Sequence, residues 1–194
     1  MATLSQLVTA IATAEGIDAE RVAAIGRAIR EDGLIRTSGR GTSAAQMEEG
    51  DAANLLIATN TADTARTASA AVKEYRKLQA KRRPNLFGSE LEELISAAKR
   101  KCLADYITKM VALLGTRGHR LGKRPFPNGE YRFEIEFEKP VPSVLLGIWV
   151  QDGPRDYIDF FDRRHAANEA SGDRRERTRI TQRTILAVAT VLRA

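Results

Sequence analysis

From Tyr131 to Glu138 the chain alternates without a break: Tyr131, Phe133, Ile135 and Phe137 against Arg132, Glu134, Glu136 and Glu138. A period of two is the period of a pleated strand, so this stretch predicts a half-buried antiparallel strand with one wet, acidic face. Asn128-Gly129 is a turn signal ahead of it, and Pro140 and Pro142 interrupt the pattern behind it. Ser143–Val150 is then a continuous apolar run rich in strand formers, suited to burial on both faces. After the turn signal Asp152-Gly153-Pro154, Tyr157–Phe161 reads as a third short strand. These signals predict a three-stranded antiparallel meander whose apolar face is covered by helices.

The rest of the chain reads as helical. Leu4, Leu7, Val8 and Ile11 repeat at helical spacing behind a capping Thr3, and Gly16 ends that helix. Asp18 caps a second helix with Val22, Ile25, Ala28 and Ile29 on one face, and Gly33 stops it as a left-handed cap residue would. Leu34 and Ile35 are expected to fold back onto the pair. A helix is predicted from Ala65 to about Lys81, closed by Pro84, and a long one from Ser89 to Gly115. These two are expected to pack as an antiparallel hairpin that could also form a dimer face. Cys102 falls on the apolar stripe of the long helix and reads as a small buried side chain. Ile180, Ile185, Val188, Val191 and Leu192 mark a final helix capped by Thr178 or Thr181. The fold expected is α+β and mostly helical. It has a helical module over 1–60, a helical hairpin over 61–115, and a β meander closed by a C-terminal helix over 116–194.

Gly33–Gln46 separates the first helical pair from everything downstream. Gly39 and Gly41 flank Arg40, with Arg36 nearby, and the backbone N–H groups of such a loop suit an anion. It is neither a Walker A loop nor a dinucleotide fingerprint, and no nucleotide cofactor is expected. Ser43–Gln46 fits a capping box, Glu49-Gly50-Asp51 reads as a turn, and Asp51 as the cap of a helix with Leu55, Leu56 and Ile57. This order over 43–59 resembles the helix-turn-helix of DNA-binding proteins, and residues 1–60 look like a small winged-helix or helix-turn-helix module. The whole chain is similar in kind to uncharacterised bacterial prophage or mobile-element proteins. The resemblance implies a reading helix on which Asn54 meets base edges. Glu48, Glu49 and Asp51 would repel phosphate, and they favour the alternative of a packing or dimerisation module.

The charge is unevenly spread. Residues 1–60 carry 5 Lys/Arg and 8 Asp/Glu, a balance of −3, whereas residues 61–194 carry 26 and 17, a balance of +9. A polyanion would be met by the later part. Arg117, Arg120, Lys123 and Arg124 crowd a glycine-containing loop with no helix dipole to account for them. Arg174, Arg175 and Arg177 belong to an arginine-dense stretch, 163–179, expected to be a loop. Its arginines suit bidentate phosphate contact, and they would equally well pair with Glu134, Glu136 and Glu138.

Catalytic signatures are weak. Asp152, Asp156, Asp159 and Asp162 lie near His165, a grouping compatible with a metal-dependent nuclease but without its familiar spacings. No metal site and no cofactor is predicted. The leading expectation is a DNA-binding accessory or regulatory protein that contacts the phosphate backbone through Arg117, Arg120, Lys123, Arg124, Arg174, Arg175 and Arg177, with Arg36 and Arg40 contributing. The alternative is an inhibitor or assembly adaptor for an acidic protein partner. A homodimer is compatible with either. A lone cysteine, no signal-like start and no apolar run of membrane-spanning length point to the cytoplasm of a bacterial host.

Overall fold

A computed structural model describes residues 2–37, 45–80, 102–117, 131–150, 155–161 and 175–194. Those residues form six helices and five strands, an α+β arrangement. The order is α1 (Leu4–Glu15), α2 (Ala19–Glu31), α3 (Glu49–Thr61), α4 (Ala65–Tyr75), β1 (Gln79–Ala80), α5 (Leu103–Arg117), β2 (Tyr131–Lys139), β3 (Ser143–Val150), β4 (Arg155–Phe161), β5 (Glu176–Thr181) and α6 (Gln182–Arg193). None of the helices is long and apolar enough to cross a membrane.

The first two helices start and stop where their end residues direct. The Thr3 hydroxyl accepts from the Gln6 amide while the Gln6 side chain returns to Thr3 N, a reciprocal cap that satisfies two orphan donors. Gly16 ends α1 in the left-handed region (φ 70°), and Asp18 accepts the Glu20 and Arg21 amides to open α2. Gly33, also at φ 70°, turns the chain so that Leu34 N reaches Ile29 O and Ile35 enters the core.

α3 is the axis of the helical layer. Every residue from Asp51 to Thr61 is buried. In this buried helix the preceding turn satisfies the threonine hydroxyls: Thr61 Oγ1 donates to Ile57 O (2.7 Å) and Thr59 Oγ1 to Leu56 O (3.1 Å). α2, α4 and α5 all pack against it, and α6 packs on α1 and α5. α4 runs beside α2 in the same direction. Arg21 meets Ala62 O, Ser69 meets Ala28 O and Lys73 meets Asp32, each at a separation of 41 residues. A constant offset over three contacts means two parallel elements held without slip.

The sheet is antiparallel in the order β1-β4-β3-β2-β5. The expected three-strand meander is its centre. β1 and β5 are additions at the edges: residues 176–179, expected to end a loop, and Ile180 and Thr181, expected to belong to the last helix and its cap, are strand. The reason is visible in the register: Ile180 lies opposite Ile135 and follows it into the core, so one apolar residue among polar neighbours was enough to seat the edge strand. Phe133, Ile135 and Phe137 of β2, with Val144 and Leu146 of β3 and Ile158 and Phe160 of β4, form the buried face. Each such side chain contributes about 1.5–3 kcal/mol on burial. Tyr106 of α5 meets Phe160 edge to face at 4.9 Å, and Tyr75 of α4 donates its hydroxyl to Glu138 O, tying helices to sheet.

Two helical expectations are corrected. α4 stops at Tyr75, and Gln79 and Ala80 turn into β1 rather than continuing to Lys81. α4 and α5 share α3 as a common partner instead of forming a hairpin, meeting each other's ends through Leu103 N to Leu78 O and Ala104 N to Arg76 O. The part of the predicted long helix up to and including Lys101 lies outside the described residues. Cys102 is half-buried ahead of α5, donating to Asp105 Oδ2 at 3.1 Å, and burial pushes its thiol up from the ordinary cysteine range. Thr181, of the two caps expected for the last helix, is the one used: its hydroxyl accepts from Arg183 N.

Candidate nucleic-acid interface

The segment expected to be a helix-turn-helix over 43–59 is not one. Residues 45–48 are in no helix, and Glu49-Gly50-Asp51 is the first turn of α3. Asp51 acts from inside the helix: its carboxylate accepts Glu48 N (2.9 Å) and Arg36 N (3.0 Å), so the presumed turn residue is a staple between the chain after α2 and the start of α3. Asn54, the expected base reader, is 7% exposed and donates to Leu34 O at 2.7 Å. It faces the core because the helix that carries it is buried on every side, which no local pattern in the sequence distinguishes from an exposed helix.

Another pair of helices has the connection that such a unit requires. α1 and α2 are 12 and 13 residues long and are joined by Gly16, Ile17 and Asp18, a three-residue turn with a left-handed glycine. Helix-turn-helix units use turns of three to four residues, often containing glycine, to set the second helix across the first. Val22, Ile25, Gly26 and Ile29 bury one face of α2, and its offset against α4 occupies the Arg21, Ala28 and Asp32 side. At about 100° per residue, the opposite stripe carries Glu20, Ala24, Arg27 and Glu31, with Arg30 at its margin. Glu20, Arg27, Arg30 and Glu31 are exposed and Ala24 is half-buried. Downstream, Met47 N donates to Ala2 O (2.8 Å), so the chain returns to the start of α1 after leaving α2 at Gly33. Residues 38–44 of the segment between, which include Arg40, lie outside the described residues.

The arginines nominated from sequence meet a different fate. Arg177 pairs with Glu138 (2.9 Å) and Glu136 (3.3 Å), Arg175 with Glu138 (3.4 Å) and Arg179 with Glu134 (3.6 Å). The register explains it, since Arg177 lies opposite Glu138 and Arg179 opposite Glu136 on the outer face of β2 and β5. Arg36 is held by Glu48 and by Asp51. Arg117 is the last residue of α5, but its side chain and the residues Arg40, Arg120, Lys123, Arg124 and Arg174 lie outside what is described. Arg27, Arg30 and Arg66 were not singled out by the sequence reading. All three are exposed, and among the described residues none enters an ion pair. The signal that could have found the first two was the turn Gly16–Asp18 between two capped helices.

Of the acidic grouping, Asp159 is exposed on β4. Asp152, Asp162 and His165 lie outside the described residues. Among those described, no group of three or more His, Cys, Asp or Glu comes together as a metal site.

No protein-family model, curated protein or solved structure matches the chain.

Proposed function

We propose that the protein binds duplex DNA through α1 and α2, with α2 as the reading helix. The observation that carries this is the capped helix, left-handed three-residue turn and second capped helix, whose outward stripe holds arginines with no carboxylate bound to them. The stripe has the chemistry for base edges. Arg27 can donate two bonds to guanine O6 and N7, Glu20 can accept from cytosine N4, and the Ala24 methyl suits the thymine methyl. Arg30 and, on the neighbouring α4, Arg66 are exposed and would meet phosphates.

The reading is tested by fluorescence anisotropy with labelled random-sequence duplex over a series of salt concentrations. Binding should weaken steeply as salt rises, and Arg27→Ala should cost about 1–3 kcal/mol at the preferred sequence. Absence of binding at low salt, or equal binding by wild type and an Arg27→Glu/Arg30→Glu variant, overturns it.

A further inference from the structure

β5 stands at one edge of the sheet, with β2 as its neighbour among the described strands. In an antiparallel pair every second residue turns both its N–H and its C=O away from the partner. From Arg177 to Ile180 the backbone bonds no segment but β2 among the described residues. Every residue of the strand except Ile180 is exposed. Such an edge is a template for another strand, and the side chains on it decide which strands are admitted.

The edge opens onto a cavity of about 260 Å³, which Thr178, Arg179, Ile180 and Thr181 line in unbroken succession. Their side chains alternate between the two faces, so a cavity that touches all four meets the strand along its backbone, and β2 occupies the other side. Across the cavity stand Ala14 and Ile17, both half-buried at the end of α1 and the turn after it. Glu15 also lines it, bonded to the Asn60 amide at 3.2 Å, and turns an acidic side chain away from it. The volume is below the roughly 300–1,000 Å³ of a drug-sized pocket and suits a single side chain.

Charge selects the incoming strand. The side chains of Arg177 and Arg179 are 61% and 63% exposed, although each meets a glutamate of β2. A guanidinium has five donors, and those bonds engage Nε and Nη1 of Arg177 and Nη1 of Arg179. A second copy's β5 would set arginine against arginine, and like charges opposite one another repel. β2 shows the pattern that fits: Glu134, Glu136 and Glu138 alternate with Ile135 and Phe137, so its acids meet the arginines while its apolar residues join the core.

We propose that the β5 edge takes, as an added strand, an extended segment of a partner protein in which carboxylates alternate with apolar residues. Main-chain bonds to the open edge supply affinity, and the alternate side chains supply selectivity. The carboxylates extend the rows of acid and arginine across the outer face. The apolar side chains lie on the helical face, where one enters the cavity beside Ala14 and Ile17. This site shares no residue with the α2 stripe, so it and the DNA reading can fail separately.

The test is fluorescence anisotropy of the full chain with a labelled short peptide that alternates glutamate with valine. Two controls accompany it: a lysine–valine peptide, and the glutamate–valine peptide with alternate backbone amides methylated to block strand pairing. The glutamate peptide should bind at least about tenfold more tightly than either control. Arg177→Ala/Arg179→Ala, shown to be folded by circular dichroism, should weaken it by about tenfold or more. Failure of the glutamate peptide to bind overturns the proposal, as does equal binding of the methylated peptide or affinity unchanged in the double variant. A dimer of the chain alone in sedimentation velocity that the glutamate peptide dissociates would give the edge to a second copy, and overturns it too.

Discussion

Arginines on the outer face of the sheet and arginines on α2 are the same side chain in opposite circumstances. On β5, each arginine is set by the register directly across from a glutamate of β2, and all the described ones are paired. On α2 the acids stand where they do little. Glu31 follows Arg27 by four residues, the weaker orientation for a helical pair. Arg30 has Gly26 and Gly33 at the neighbouring positions where a partner would stand. Strand pairing brings distant charges into contact by geometry, whereas a helix offers only its own neighbours. Counting cations therefore pointed to the later part of the chain, whereas among the described residues Arg27 and Arg30, in the part with the negative balance, stand without a carboxylate.

The largest expected effect sets the two regions directly against each other. Arg27→Glu/Arg30→Glu should lower duplex affinity by about 1–3 kcal/mol for each lost contact, while Arg177→Ala should leave it near wild type. If anisotropy shows the reverse, the sheet face is the interface and the comparison is broken.

The carboxylates provide the mirror image. Glu134, Glu136 and Glu138 have arginines, but Glu15 has an amide and a pKa raised from 4.5 to about 7. The folded state therefore holds this proton more tightly than the unfolded chain. Its contribution to stability is complete below pH 4.5, declines as pH rises towards about 7, and is flat above. Urea midpoints across that window should show the decline in wild type and its loss in Glu15→Gln. An unchanged slope in the variant would place the titrating group elsewhere.

Smaller effects sharpen the contrast. Asp18→Ala removes the cap that orients the first turn of α2 and should cost about 0.5–2 kcal/mol by chemical denaturation. The same variant should reduce DNA affinity, because Glu20 and Arg21 lose their anchor at that end. Smallest of all, Arg177→Ala should cost about 0.2–1 kcal/mol, diminishing in high salt, since its ion pairs are solvent-exposed.

Much of the architecture was legible in local pattern. The alternation 131–138 and the apolar run 143–150 became β2 and β3, and Thr3, Gly16, Asp18, Gly33 and Thr181 each took the end position their chemistry favours. The misread regions were those where local pattern has two solutions. Glu49-Gly50-Asp51 has turn composition, yet Asp51 is drawn into the helix because it can staple Arg36 and Glu48 at once. Residues 176–181 have the polarity of a loop and pair as a strand because β2 offers an open edge. Of the candidate site, Arg27, Arg30 and Arg66 were missed, because which arginines are left available depends on pairings some 40 residues apart, such as Arg177 with Glu138.

By itself the sequence determined the periodicities, the caps and the turn at Gly16–Asp18, since each depends on neighbours a few positions along the chain. Which helix is buried on all sides, which arginines are left without a carboxylate, and that Glu15 and Asn60 close on one cavity were decided only by tertiary structure. Burial and long-range charge pairing are properties of residues brought together from distant positions, and no local window contains them.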